Sequence, residues 1–250
     1  MDDLVSVIIP YYKKRNFIKE TVVSVVSQSY DSLEILIIYD DTNQNDFEFL
    51  QEISKLDKRI KIINNNKRLG AGLSRNKGIE QSNGKYIAFI DADDTWVSDK
   101  LSDQISFMKK KNDCQISHTS YFIIDEKKKI IGQRKARDLL SVNEVLKSCD
   151  IGLSTVIIEK GVIVKTSAKF PQLTTKEDFV FWLTLLKKNY KFYAIDRNLT
   201  NWRNSKNSLS SSTIRKLLDG FRVYNYYMNF NIIKSIYYLI CLSLNYLKKR

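Results

Sequence analysis

The sequence predicts an α/β fold, with a mostly parallel central sheet flanked by helices and a helical appendage at the carboxyl end. Three observations predict it. Short runs such as Tyr86-Ile87-Ala88-Phe89-Ile90 are apolar on successive residues, as strands buried on both faces are. Between such runs, apolar residues recur at helical spacing. Acidic side chains stand just past the runs, at the strand ends where open α/β sheets gather their ligands.

Val5-Ser6-Val7-Ile8-Ile9 is the first strand, stopped by Pro10, with Tyr11 and Tyr12 at its carboxyl end. Phe17, Ile18, Val22, Val25 and Val26 then mark a crossover helix to about Ser29. The second strand, Glu34-Ile35-Leu36-Ile37-Ile38-Tyr39, runs into Asp40-Asp41-Thr42. A helix with Phe47, Leu50 and Ile53 on one face leads to the third strand, Ile60-Lys61-Ile62-Ile63. A polar loop with Gly70 and Gly72, a helix over roughly 71–81 and the Tyr86 strand complete the pattern. Because strand-helix repeats three times, right-handed crossovers should place helices on both faces.

Asp91, Asp93 and Asp94 follow the Tyr86 strand at once, and Asp91 and Asp93 point the same way in an extended chain. Clustered carboxylates repel, and their charge is costly to desolvate without a cation between them. Mg²⁺ or Mn²⁺ suits such a place, taking one or two carboxylates plus substrate phosphates. Tyr12 and Asp40 end neighbouring strands, so one cleft is implied. In it Tyr12 offers a ring face to a base, and Asp40 can accept from a base imide or a ribose hydroxyl. Asp41 and Asp94 read as turn or cap residues.

Composition narrows the class. The chain has 250 residues, 43% hydrophobic and 28% charged, which suits one large domain with a small appendage. Its three cysteines show neither metal spacing nor even pairing, which points to a reducing compartment. The start Met1-Asp2-Asp3-Leu4 is not a signal peptide, so a cytoplasmic location is expected. A net charge of +13 favours polyanionic surroundings, yet zinc-finger spacing, an RNA-recognition aromatic signature and a dense basic recognition helix are all missing. Nucleic acid is therefore not the expected partner. Lys109-Lys110-Lys111 and Lys127-Lys128-Lys129 read as solvated faces.

Downstream, Ser98 should cap a helix carrying Leu101, Ile105 and Met108, and strands are expected over 114–118 and 121–124 with a hairpin tip at Lys127-Lys128-Lys129. His118, the sole histidine, reads as structural, and Trp96 as either a sugar platform or core. Ser141 with Glu144 fits a capping box, as does Thr175 with Asp178, before a helix that packs Phe179, Leu183 and Leu186. In the tail, Ile233, Tyr237, Ile240, Leu244 and Leu247 share one face, with Lys234, Cys241, Asn245 and Lys248 on another. The apolar part is shorter than the roughly 20 residues that a span needs. Packing on the domain, contact with a second copy in a homo-oligomer, and a place in the membrane interface all fit it. Interfacial or oligomer contact through 231–250 is the expectation.

The ordered set Val5 to Tyr12, Ser24-Val25-Val26-Ser27-Gln28-Ser29-Tyr30, Asp40-Asp41, Ser74-Arg75-Asn76-Lys77-Gly78-Ile79 and Asp91-Ala92-Asp93-Asp94 resembles the family 2 glycosyltransferases of GT-A fold. It covers about the first 100 residues closely and extends more loosely to about Ser210. The resemblance implies an inverting enzyme that takes a nucleotide sugar, often UDP-linked, with Mn²⁺ or Mg²⁺. Its acceptor would be a hydroxyl of a glycan or lipid-linked oligosaccharide in surface-polysaccharide synthesis, reached at the inner face of the cell membrane. Carried onto this chain, it implies metal ligands at Asp91 and Asp93, and donor contacts at Pro10, Tyr12, Asp40, Arg68, Arg75, Asp91, Arg203 and Ser208. Asp178 would be the catalytic base.

Three positions depart from the common pattern. Lys13 and Arg68 stand where many members have Asn, and Ser205 stands where many have His. Arg68 still suits a phosphate. The implied division is a GT-A domain over 1–210, with a nucleotide-binding half at 1–97 and an acceptor half at 98–210, then a helical segment at 211–250. The rival readings are a sugar nucleotidyltransferase and a non-catalytic membrane-surface scaffold. Tyr11-Tyr12-Lys13-Lys14 is not the glycine- and arginine-rich loop that the first of these needs.

Overall fold

A computed structural model describes residues 3–205 and 213–248. The amino-terminal half alternates as the periodicity requires. β1 (Val5–Tyr11) leads through α1 (Arg15–Val26) to β2 (Leu33–Tyr39), and α2 (Gln44–Ser54) leads on to β3 (Ile60–Asn64). Next, α3 (Ala71–Gln81) reaches β4 (Tyr86–Phe89). These four strands are parallel in the order β3-β2-β1-β4, with Val7 level with Ile35 and Ala88.

The rest of the sheet is mixed, which corrects the mostly parallel expectation. β5 (Thr95–Trp96), α4 (Lys100–Lys110), β6 (Ile116–Ile124), β7 (Ile130–Arg134) and α5 (Val142–Leu146) come first. They are followed by β8 (Ile157–Glu159), α6 (Lys160–Thr166), α7 (Glu177–Lys187) and β9 (Tyr193–Arg203). Among the described residues the sheet has nine strands, continuing from β4 through β8, β6 and β9 to β5, with β7 beside β6. β8 runs antiparallel to both β4 and β6. The β6–β7 connection over 125–129 is a tight hairpin, too short for a parallel crossover. The strands expected at 114–118 and 121–124 merge into the single strand β6.

Alternation along each inner strand feeds two cores. Ile8, Leu36, Ile38 and Phe89 share one core with Ile79 of α3 and the buried face of α7, while Val7, Ile9, Ile35 and Ile37 share the other with residues of α1, α2 and α4. Each fully buried side chain of this size contributes roughly 1.5–3 kcal/mol. α7 is fixed by aromatics: Phe181 stacks on Phe170 at 4.1 Å, and Trp182 meets both edge-on. That packing sets the direction in which the first turn of α7 points.

Asp99 stands at the N-cap of α4 in place of Ser98, and its side chain makes no capping bond. The Ser141–Glu144 capping box is present. His118 is buried and bonds the carbonyl of Arg137, and burial pushes its pKa down to about 4, so it is structural. Beyond the site, α8 (Thr213–Arg222) and α9 (Ile232–Lys248) form the carboxyl-terminal pair.

Candidate active site

The end of β4 delivers the acidic cluster, and the chain already supplies cations to it. Arg75 Nη2 donates to Asp91 Oδ1 at 2.7 Å, and Lys14 Nζ donates to Asp93 Oδ2 at 2.5 Å. The Ser205 hydroxyl lies 3.4 Å from the same Asp93 oxygen and accepts from Lys14 at 3.2 Å. Burial raises the Asp93 pKa, Lys14 opposes the rise, and Asp91 adds to it. Asp94 faces inward, where Arg203 N and the Ser154 hydroxyl take its two oxygens. Its pKa is raised well above the ordinary value, first by burial and then by Asp93 and Asp91. The cluster does need cations, but Lys14 was missed as one. Its signal was the Lys13-Lys14 pair directly after Tyr12, at the tip of a strand paired with β4.

A divalent cation fits this donor set under one condition. Among the described residues no three His, Cys, Asp or Glu side chains converge as a complete metal cage. Asp91 and Asp93 each give one oxygen to a cation of the chain, which leaves one further oxygen on each. Two carboxylates are a sparse protein share of a Mg²⁺ or Mn²⁺ shell, which waters and substrate phosphate oxygens usually complete. The cluster therefore fits a metal that arrives with a diphosphate.

Two of the expected donor contacts, Arg75 and Arg203, are buried against protein partners. The Arg75 side chain is only 4% exposed, and its Nη1 donates to Glu177 Oε1 at 2.8 Å while Nη2 holds Asp91. It is thus a strut between the end of β4 and the start of α7. Although burial opposes its charge, Asp91 and Glu177 hold its pKa above the ordinary value. The Arg203 side chain, 1% exposed, donates to the Asp93 carbonyl, the Asp125 carbonyl and Glu20. It ties β9 to the acidic turn from behind. Ser208 lies outside the described residues.

At the neighbouring strand ends, the Arg68 guanidinium sits 3.9 Å from the Tyr12 ring centre. Arg68 is exposed, so one side of the ring is covered by a cation that remains open to solvent. Pro10 lies beside them at the end of β1, half-buried.

Asp40 is corrected. Its Oδ1 accepts from Leu69 N at 2.7 Å and Asn65 Nδ2 at 2.9 Å, and its Oδ2 accepts from Gly70 N at 2.7 Å. The carboxylate pins the loop that enters α3, where Gly70 takes φ +88°. Asp41, read as a turn residue, is the one with capacity. Its Oδ1 accepts from Thr42 N, and its buried Oδ2 has no hydrogen-bond partner among the described residues. Asp40→Ala should therefore cost about 1–3 kcal/mol, because two loop N–H groups lose their acceptor. Urea unfolding checks this, together with faster amide exchange at Leu69 and Gly70.

α7 starts at Glu177, not in a Thr175 capping box. Lys176 stands at the N-cap with φ +69°, and Thr175 instead donates through N and Oγ1 to Asp219 Oδ2 on α8. Asp178 is partly buried and accepts from Phe179 N at 2.7 Å. Burial raises its pKa, Lys176 and Arg75 pull it down, and Asp91 pushes it up again. Burial also carries Glu177 up to about 7 against the pull of Arg75. Gly72 on α3 makes room for this contact, since a Cβ there would lie 2.8 Å from the Pro171 carbonyl and 3.2 Å from Glu177 Cγ.

Trp96 is core, not an exposed platform. Its Nε1 donates to the Ser154 carbonyl at 2.7 Å, and the buried Lys100 ammonium lies over its ring at 4.2 Å.

The family model for glycosyl transferase family 2 matches residues 6–155. The chain belongs to that family. This family 2 glycosyltransferase is 32% identical over 248 residues to TuaG of Bacillus subtilis (strain 168), a glycosyltransferase named for teichuronic acid biosynthesis; the match covers 99% of this chain and 97% of that one. It is 35% identical over 243 residues to WfgD of Escherichia coli, a UDP-Glc:alpha-D-GlcNAc-diphosphoundecaprenol beta-1,3-glucosyltransferase, covering 96% and 92%.

Among solved structures, the family 2 enzyme matches Staphylococcus aureus TarS in complex with UDP-GlcNAc at a TM-score of 0.71 and 16% identity, covering 94% of this chain and 70% of that one. It also matches the mannosyltransferase PcManGT of Pyrobaculum calidifontis in complex with GDP-Man and Mn²⁺, at 0.71 and 13%, covering 96% and 70%. The fold is GT-A-like, as the order of the motifs implied.

Proposed function

We propose that this family 2 glycosyltransferase transfers a sugar, with inversion, from a UDP-linked donor to a hydroxyl of a lipid-linked glycan, at the inner face of the cell membrane and with Mg²⁺ or Mn²⁺. The observation that carries the reading is the Arg75 fork, which joins Asp91 of the acidic cluster to Glu177 beside Asp178. One buried guanidinium thus fixes a donor-side acid against the start of the base-bearing helix. Relatives named for UDP-Glc and diphosphoundecaprenol substrates, and a neighbour holding UDP-GlcNAc, support the donor and acceptor classes.

In this reading the base of the donor lies against the half-buried Tyr12 ring and the exposed Arg68, and the unpartnered Asp41 Oδ2 accepts from its imide. Asp91 and Asp93 would hold the cation through the oxygens that Arg75 and Lys14 leave free. The metal would supply charge stabilisation at the departing diphosphate. Asp178 takes the acceptor's proton as that oxygen bonds to the anomeric carbon. The bond from that carbon to the diphosphate oxygen breaks, and its electron pair leaves with UDP.

UDP release assayed with and without Mn²⁺ tests the proposal. Asp93→Asn should abolish both turnover and Mn²⁺-enhanced donor binding, the latter read by calorimetry. Turnover that survives it would remove the metal assignment, and silence with every UDP-sugar would favour a scaffold. Asp41→Ala should weaken donor binding while leaving the unfolding midpoint near that of wild type, the reverse of Asp40→Ala.

A further inference from the structure

Helices α8 and α9 carry apolar side chains outward. On α8, Ile214, Leu217 and Leu218 are 74%, 43% and 58% exposed, while Asp219 and Gly220 are buried. On α9, Ile233, Tyr237, Ile240, Leu244 and Leu247 form a continuous stripe whose members are at least half exposed. The inward side of α9 is Ser235 and Leu242, with Tyr238 and Leu239 half-buried. A water-facing surface helix has the opposite arrangement. The two helices touch, since Gly220 packs under Leu239. Among the described residues no helix is long and apolar enough to cross a membrane.

Charge selects what covers this face. Residues 213–248 hold Arg215, Lys216, Arg222, Lys234 and Lys248 against a single acid, Asp219, which is buried and pairs with Arg222. We propose that α8 and α9 together form a docking surface for an anionic phospholipid bilayer, lying in the interface with their apolar stripes among the acyl chains. A second copy fits poorly. A two-fold contact would set this basic pair against itself, on molecules that each carry +13. Anionic headgroups supply the opposite charge, and apolar burial with basic attraction is how interfacial helices bind.

The surface is also fixed to the active site. Asp219, inward on α8, holds Thr175 N and Oγ1, three residues before Asp178. A docked pair would therefore hold the base at a set height above the bilayer. That last step rests on the proposed lipid-linked acceptor, whereas the docking itself does not.

The full chain is tested by flotation with phosphatidylcholine vesicles, with and without phosphatidylglycerol. Binding should appear with phosphatidylglycerol, weaken in high salt, and fall about tenfold or more in Ile240→Ser/Leu244→Ser. Both residues are exposed, so the unfolding midpoint and metal-dependent UDP release into water should stay at wild-type levels. UDP release reports on the site alone, so loss of that reading and loss of this one are distinguishable. Equal flotation of wild type and variant would overturn the proposal. So would a concentration-dependent dimer in sedimentation that the variant abolishes, with no vesicle binding.

Discussion

Asp178→Asn should leave donor affinity unchanged and lower sugar transfer by about 10²–10⁴-fold, the range a positioned general base supplies. The substitution keeps the volume and the acceptor oxygen that receives Phe179 N, so α7 keeps its first turn. It removes only the capacity to take a proton. The pH profile provides an independent reading. Burial raises the Asp178 pKa, and Glu177 beside it is carried to about 7, so the neighbouring carboxyls hold protons above the ordinary acid range. Transfer should then rise with pH through an apparent pKa above about 3.9, the ordinary aspartate value. The variant's small residual rate should lack that limb. Single-turnover transfer with calorimetric donor binding checks both parts, and a variant that transfers at the wild-type rate would place the base elsewhere.

The parts of this molecule that could be read from the chain are those governed by local pattern. Runs of Ile and Val apolar on both faces marked β1, β2 and β4, and their register follows. Strand-end placement located the acids and Tyr12. The β8 and β9 pairings were illegible because they join partners far away in sequence, such as Tyr86 opposite Glu159 in the antiparallel β4–β8 pair and Ser117 opposite Tyr193 in the parallel β6–β9 pair. Side-chain partners were illegible for a related reason. Arg75, Arg203 and Asp40 have the right chemistry for a ligand, and each also meets protein partners that only folding brings near. Which of two adjacent aspartates keeps an open oxygen is decided by loop 65–70, and no spacing rule reports that. In α9 both the stripe and an outward contact face were expected, and the stripe is exposed.

Arg75→Met should be the most destabilising single change in the site, at about 3–5 kcal/mol, the cost of leaving buried charge without its partner. Methionine replaces most of the volume against the Phe170 ring, so packing loss is small beside the electrostatic term. Asp91 loses its Arg75 contact, and Glu177 loses a bond to a guanidinium only 4% exposed. The sign of the pH dependence follows from Glu177. A carboxyl whose folded pKa is raised binds more protons in the native state than in the unfolded chain, so stability falls as pH climbs from its ordinary value to the raised one. Without Arg75 that raised value moves higher still. The loss should therefore be greatest above neutral pH and shrink toward about pH 4.3, the ordinary glutamate value. Arg75→Lys should not restore stability, because one ammonium cannot bridge two separated carboxylates as the fork does. Adding Glu177→Gln to Arg75→Met should recover part of the loss, since it removes one of the stranded charges. Urea unfolding of wild type, Arg75→Met, Glu177→Gln and the double variant at acid and alkaline pH measures the coupling. An Arg75→Met protein as stable as wild type at both ends would show that the strut carries no charge across the site.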